Sequence, residues 1–290
     1  MLGRVAKFHS PEVGPCDLRW ERFIKSTFGV RVEIIHEHPI PESLGNDDWI
    51  LPPGCVCDQC NLYFGTKIEK DVLTYAPFGL SRVTQAVKSK AGKYPLIVNE
   101  RMQYQSTGYW DGMLFRSDPP HDNLIPLPDG RMLCFPKWAH PNLLVRFFIK
   151  MGIECLLSSP EVDFYHERFN AARRCARYGD RADGWDFAMG LYPDKEALII
   201  SEREDEFGPL VIRQIYSYGG GIMHDGDVNF NFMYERSYFC VNLSGPSVTE
   251  YIIRFNTMNS FAVASRWKNF PKSPKPHLMK PQPLRRRRGS

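Results

Sequence analysis

The sequence predicts a mixed α+β fold, and three observations indicate it. Apolar residues recur at helical spacing over residues 17–28, from Asp58 to Leu73 and again from Pro141. From residue 196 onward the apolar period changes to two, which is typical of β-strands. The 290 residues are 43% hydrophobic and 13% aromatic, which is enough to bury a substantial core. We therefore expect helices followed by an antiparallel sheet.

The N-terminal part is predicted to run helix, strand, loop, helix. After the helix at 17–28, the segment VRVEII alternates apolar and polar residues and predicts a short strand that ends at His36. Residues 39–56 contain four prolines and predict a loop. A helix is expected to begin near Asp58, which is a good N-cap residue, and to present Leu62, Phe64, Ile68 and Leu73 on one side.

The rest of the chain is predicted to form a larger α+β body. Residues 76–135 are rich in Pro, Gly and Asp and are expected to be irregular, with one helix at 81–91. Pro141 starts a strongly apolar, buried helix, and 161–178 predicts an amphipathic one. Four strands are then expected: EALIISERE, GPLVIRQIYSY, VNFNFMYERSYFCVNLS and TEYIIRFN.

These patterns divide the chain into a compact unit at 1–78, a body at 79–265 and a tail at 266–290. The tail is rich in proline and holds nine of the 37 Lys and Arg but none of the 33 Asp and Glu. Removing it leaves 28 basic against 33 acidic residues, so the rest carries a net charge of about −5. Such a tail is either a solvated extension or an electrostatic arm for nucleic acid.

The sequence favours an intracellular protein without membrane segments, so we expect a cytoplasmic location. No run of 18 apolar residues occurs, and the first residues lack the apolar stretch of a signal peptide. The eight cysteines are therefore expected to be mostly reduced thiols. The sequence does not specify an oligomeric state.

One stretch, IIHEHPIPESLGNDDWILPPGCVCDQCNLYFG, concentrates residues that could carry chemistry. A one-metal phosphodiester nuclease needs a base that deprotonates water and hard oxygen ligands that hold a divalent cation. The stretch resembles the HNH (His-Me finger, ββα-metal) endonuclease family over about residues 30–75. The matching residues are Glu37, His38, Pro41, Ser43, Leu44 and Gly45, then Cys57, Cys60, Asn61, Phe64 and Gly65.

The resemblance implies a role for each matching polar residue. His38 corresponds to the general base, and Glu37 and Asn61 correspond to the ligands of a catalytic Mg²⁺ or Mn²⁺. The middle residue of the family braces the loop, and Asn46 is the nearest candidate here. In a regular strand Glu37 and His38 would point to opposite faces, but Pro39 and Pro41 end regular pleating, so that adjacent side chains can converge.

The cysteines match only half of the zinc clamp that many HNH proteins have. Cys57 and Cys60 form a CxxC pair, while the family's upstream pair is missing. Because a structural Zn²⁺ takes four ligands, a site would need Cys16 or Cys55, or His9, as well. The alternative is a set of buried thiols.

The resemblance thus predicts an HNH endonuclease that cleaves DNA, with RNA as a second possible substrate. Lys67 and Lys70 are candidate phosphate contacts or, alternatively, solvated charges on a helix. Likewise, His36 and His38 could form a surface pair that caps the loop, and Asn61 could satisfy backbone N–H groups of the helix. The rival interpretation is a non-catalytic protein that binds nucleic acid or a partner on the same scaffold.

Overall fold

The computed structural model confirms the mixed α+β class with antiparallel sheets. It describes residues 37–46, 49–51, 55–88, 92–99, 102–108, 112–117, 124–126, 128, 132–134, 137–157, 166–191, 200–205, 208–213, 216–222, 226–235 and 237–247. The predicted helix at 17–28, the strand that ends at His36, the strand TEYIIRFN and the tail at 266–290 lie outside these residues. The first strand of the ββα unit that the HNH resemblance implies also lies outside the described residues.

Five α-helices are found in the described ranges. They are α1 (Asp58–Phe64), α2 (Lys70–Thr74), α3 (Phe78–Thr84), α4 (Pro141–Leu156) and α5 (Asn170–Tyr178). A π-helical turn, Gly65–Glu69, joins α1 to α2, and 3-10 turns occupy Glu42–Leu44, Glu167–Phe169 and Ala182–Gly184. No helix in this part of the chain is both long and apolar enough to cross a bilayer.

The described strands form four antiparallel sheets. The strands are β1 (Leu96–Asn99), β2 (Met102–Gly108), β3 (Gly112–Ser117), β4 (Leu124–Pro126), β5 (Met132–Cys134), β6 (Phe187–Leu191), β7 (Ile200–Asp205), β8 (Gly208–Arg213), β9 (Tyr216–Ile222), β10 (Val228–Tyr234) and β11 (Ser237–Asn242). The main sheet has the order β6-β11-β10-β9, and a second sheet has the order β1-β2-β3. The pairs β4-β5 and β7-β8 are two-stranded.

Several predicted elements are wrong in extent. The segment predicted as one strand at 228–244 is the hairpin β10-β11, which pairs from Asn229↔Asn242 to Tyr234↔Ser237. Its turn contains Glu235 at φ 51, a conformation that the uninterrupted alternation of the sequence does not reveal. Likewise GPLVIRQIYSY is two strands, because β8 pairs with β7 whereas β9 pairs with β10.

The region predicted to be irregular, 76–135, contains five strands. Strands β1 to β3 expose much of one face, so their apolar residues do not alternate strongly enough to predict them. The predicted helix at 81–91 is instead α3, which begins at Phe78 and ends at Thr84, and Ala86 at φ 52 follows it. The helices predicted near Asp58 and at Pro141 are confirmed. The prediction that Leu62 shares the buried side with Phe64, Ile68 and Leu73 is wrong, because Leu62 is exposed.

The core lies between α4 and the main sheet. Phe148 stacks on Phe239 with ring centroids 4.7 Å apart. A Cβ at Gly152 would lie 2.8 Å from the Cβ of Phe230, so glycine permits the close approach of helix and sheet. The ring of Phe78 is fully buried against Phe147. The boundary predicted after residue 78 therefore falls within one continuous hydrophobic core of the described residues.

Candidate active site

The loop that follows Glu37-His38 is held in one conformation by its own residues. Gly45 ends the 3-10 turn at φ 93, a left-handed conformation that favours glycine. Leu44 and Ile40 are fully buried. Asn46, also buried, donates from Nδ2 to the carbonyl oxygens of Ile40 (2.8 Å) and Trp49 (3.0 Å), and its Oδ1 accepts from the Trp49 N–H at 3.0 Å. Asn46 thus makes three hydrogen bonds across the loop.

Neighbouring elements fix the same loop from outside. The Leu51 N–H donates to the Glu37 carbonyl oxygen at 2.8 Å. Arg82 on α3 donates from Nε to the Ser43 carbonyl oxygen at 2.7 Å and from Nη1 to the Leu73 carbonyl oxygen at 2.8 Å. The backbone of Glu37 is therefore held at a defined place beside α3 and α4.

The CxxC segment starts helix α1. The N-cap is Cys57, one residue before the Asp58 that the sequence indicated, and its Sγ accepts from the Cys60 N–H at 3.4 Å. Asn61 lies half-buried in the first turn, and its backbone N–H donates to the Cys57 carbonyl oxygen at 2.9 Å. Cys60 and Phe64 point into the core. These matching positions therefore serve the local fold.

The described cysteines of the CxxC region, Cys55, Cys57 and Cys60, are buried. Burial, with a contribution from Glu154, raises the pKa of Cys55. Within the described ranges no group of three or more His, Cys, Asp or Glu is arranged to hold a metal ion, and Cys16 lies outside them. The zinc clamp stays a prediction.

The side chain of Glu37 binds a buried lysine. Lys150 on α4 is 1% exposed, and its Nζ lies 2.5 Å from Glu37 Oε1, 2.9 Å from Glu69 Oε1 and 2.9 Å from Glu154 Oε2. We call these four residues the Lys150 cluster. Its members come from three parts of the chain, namely the start of the loop, the π-helical turn and α4.

The charges of the Lys150 cluster are unbalanced. If all three carboxylates are ionised, they exceed the single ammonium by two negative charges. Burial raises the pKa of Glu154 well above its usual value, against the opposing effect of Lys150. Burial alone would lower the pKa of Lys150, but the three carboxylates together raise it well above its usual value. The cluster therefore holds its ammonium strongly and favours a protonated Glu154.

His38 has a partner different from that of Glu37. Its Nε2 lies 3.9 Å from Glu42 Oε2, and the imidazole is 10% exposed. The side chain of Asn61 takes part neither in this pair nor in the Lys150 cluster. In the described residues, Glu37 contacts Lys150 and His38 lies near Glu42. The three predicted site residues Glu37, His38 and Asn61 therefore do not share one set of contacts.

The oxygen ligands present fit a divalent cation in chemical type. Carboxylate and amide oxygens are the ligands that Mg²⁺ and Mn²⁺ prefer. Lys150 binds Glu37 through Oε1, and an outer hydrogen bond of this kind is common on carboxylates that ligate metals.

The arginine-rich segment 172–181 adjoins helix α1. The guanidinium carbon of Arg177 lies 3.8 Å from the ring centroid of Tyr63. Arg146 donates to the Tyr63 hydroxyl and to the Ala176 carbonyl oxygen. Arg174 lies at the surface and pairs with Asp180 at 2.7 Å. Two further basic side chains, Lys67 in the π-helical turn and Lys70 at the start of α2, are exposed.

The sequence interpretation missed Lys150 and Glu154. Both stand in a helix that is otherwise apolar on most sides, four positions apart, where they share one face. A charged pair at this spacing in a buried helix is the signal that could have identified them, because buried charges are normally paired.

Comparison with protein-family models, with curated proteins and with solved structures finds no match to this chain.

Proposed function

We propose that the chain is a metal-dependent endonuclease of the HNH type that hydrolyses phosphodiester bonds of DNA. The observation that supports this most is the loop after Glu37-His38, in which buried Asn46 joins Ile40 to Trp49. It holds a histidine and a carboxylate at fixed positions before a helix that begins with a CxxC and an asparagine. That order of elements is the one that the family uses for chemistry.

In this proposal His38 is the general base. It takes a proton from a water molecule, the water oxygen attacks phosphorus, and the bond between phosphorus and the leaving sugar oxygen breaks. Glu42, at 3.9 Å from Nε2, stabilises the imidazolium that forms. Glu37 and Asn61 are the residues that would hold Mg²⁺ or Mn²⁺, which supplies charge stabilisation at the phosphate.

Basic residues outside the loop would position the nucleic acid. The candidates are Arg174 and Arg177 on α5, Lys67 and Lys70 near α1, and the tail at 266–290. Their contacts are to phosphate, so they supply affinity without sequence preference. We expect Arg174→Ala/Arg177→Ala to weaken DNA binding several-fold and to reduce its salt dependence, measured by fluorescence anisotropy at several salt concentrations.

The experiment that tests the proposal is cleavage of plasmid DNA, and of an RNA of similar length, with Mg²⁺ or Mn²⁺. We expect the wild type to cleave DNA and His38→Ala to lose at least about 100-fold in rate, since general-base catalysis contributes about 10²–10⁴. His140→Asn is the matched control, because it removes an exposed histidine and keeps an N-cap residue on α4. Equal rates for wild type and His38→Ala would reject the assignment.

A second candidate is a non-catalytic protein that binds nucleic acid or a partner on the same scaffold. It is favoured by the binding of the Glu37 carboxylate to Lys150, which gives this residue a purely structural use. Binding of DNA or RNA without cleavage by either metal would support this candidate over the endonuclease.

A further inference from the structure

We propose that Lys150 is a positioning residue for Glu37, and that Glu69 and Glu154 hold its ammonium for that purpose. This inference rests on the proposed function, because it assigns the Lys150 cluster to the side of the site where Glu37 would hold a cation. The cluster connects Glu37 to α4 across 113 residues of sequence.

The first support is that Glu37 is fixed twice. Its carbonyl oxygen accepts from the Leu51 N–H at 2.8 Å, and its Oε1 accepts from Lys150 Nζ at 2.5 Å. The side chain therefore has one anchored oxygen and a defined orientation. An outer donor on a carboxylate ligand acts in this way in metal sites, where it fixes the direction in which the other oxygen points.

The second support is that the ammonium itself cannot move freely. Lys150 is 1% exposed and contacts Glu154, one turn further along α4 and fully buried. Glu69 approaches it from the last position of the π-helical turn Gly65–Glu69. A π-helical turn inserts one residue into a helix and so changes which side chains face inward, and such turns are frequent at functional sites.

The third support is energetic. A buried group of charges contributes less to stability than well-packed apolar residues of the same volume in many proteins. Even with Glu154 protonated, the Glu37 and Glu69 carboxylates leave one excess negative charge beside Lys150, which is unfavourable in a buried place but suitable next to a bound divalent cation. The stability of the fold alone therefore does not explain why charged residues, rather than apolar ones, occupy this buried place.

The test is the affinity for Mn²⁺, measured by the electron paramagnetic resonance signal of free Mn²⁺ in titrations of the full chain without DNA. We expect folded Lys150→Met to bind Mn²⁺ at least about tenfold more weakly, because loss of an outer partner typically costs 10–100-fold in metal affinity. Lys93→Met, at an exposed lysine, is the matched control and should bind like the wild type. In cleavage assays Lys150→Met should lower kcat and leave KM for DNA unchanged.

The outcomes separate this inference from the proposed function. If the wild type cleaves DNA and binds Mn²⁺, and folded Lys150→Met binds Mn²⁺ equally well, the inference is overturned while the endonuclease proposal stands. If Lys150→Met does not fold, Glu69→Gln decides, because this carboxylate is partly exposed and its loss removes one of the two carboxylates that hold the ammonium beside Glu37. A Kd for Mn²⁺ unchanged in Glu69→Gln overturns the inference, and a several-fold weaker one supports it. A wild type that neither cleaves nor binds Mn²⁺ rejects both.

Discussion

Helix α4 has two faces that the protein stabilises in different ways. On one face, Phe148 stacks on Phe239 and Gly152 meets the side chain of Phe230. The opposite face, about half a turn away, carries Lys150 and Glu154. The first face contacts the main sheet through close apolar packing, and the second face contacts Glu37 through an ion pair.

The difference shows which changes each face can tolerate. A close-packed interface responds to volume, so an added methyl group is harmful. A buried charge cluster responds to charge, so the removal of one partner is harmful even when the volume is kept. The exposed Arg174–Asp180 pair is a useful reference, because both side chains are at least 40% exposed and solvent screens their interaction.

The largest expected effect is on the charged face. Lys150→Met keeps the length of the side chain but leaves three carboxylates without their cation, so we expect a loss of about 3–5 kcal/mol in the free energy of unfolding. Urea denaturation with chelator present measures it. Lys150→Met/Glu154→Met should lose less than Lys150→Met alone, since it also removes a buried carboxylate. A larger loss in the double variant would show that the cluster is not held by charge.

The next effect is on the apolar face. Gly152→Ala would bring its Cβ to 2.8 Å from the Phe230 Cβ, so helix and sheet must separate, and we expect a loss of about 1–3 kcal/mol. Gly184→Ala is the control, because no atom lies within 4 Å of a Cβ at that position. Equal melting temperatures of the two variants in thermal unfolding would contradict the close approach of α4 to the main sheet.

A smaller effect is the pH dependence that Glu154 causes. Because burial raises its pKa above 4.5, the folded chain keeps a proton that the unfolded chain loses above that pH. The stability that this group contributes therefore decreases as pH rises, by at most about 1.4 kcal/mol per pH unit. Glu154→Gln lacks this slope, so the free energy of unfolding of the wild type minus that of Glu154→Gln should decrease as pH rises above 4.5, measured by denaturation with chelator. A difference that increases with pH would contradict the raised pKa.

The smallest expected effect is on the exposed Arg174–Asp180 pair. Asp180→Asn removes the charge that pairs with Arg174, and we expect a loss below about 1 kcal/mol that vanishes in high salt. Parallel unfolding measurements at low and high salt check this. A loss as large as that of Lys150→Met would remove the contrast between the buried and the exposed charges.

The sequence predicted the parts of the fold that depend on local patterns. The helical periodicity after Asp58 and Pro141 as the first residue of α4 were sufficient to predict those two helices. The hairpin β10-β11 was read as one strand, because its apolar alternation continues on both sides of Glu235. Strands β1 to β3 were missed, because apolar residues such as Leu96, Val98 and Leu114 also lie on their exposed face and hide the alternation.

The candidate site could be predicted only in its outline. The order of Glu37, His38, Asn46 and Asn61 along the chain follows from the sequence, but the partner of each does not. A side-chain contact depends on which element packs beside it, and α4 lies far away in sequence. The spacing of Lys150 and Glu154 could have indicated a buried charged face, but not that Glu37 and Glu69 complete it.

By itself, then, the sequence determined the α+β class, the loop that Gly45 and Asn46 shape, and the helix that starts at Cys57, because turns, caps and periodicity act within a few residues. Only the tertiary structure decided that Glu37 binds Lys150, whereas His38 and Glu42 are four residues apart and meet locally. The contact of Glu37 with Lys150 arises when α4 packs on the sheet and its second face must find partners for two charges removed from water.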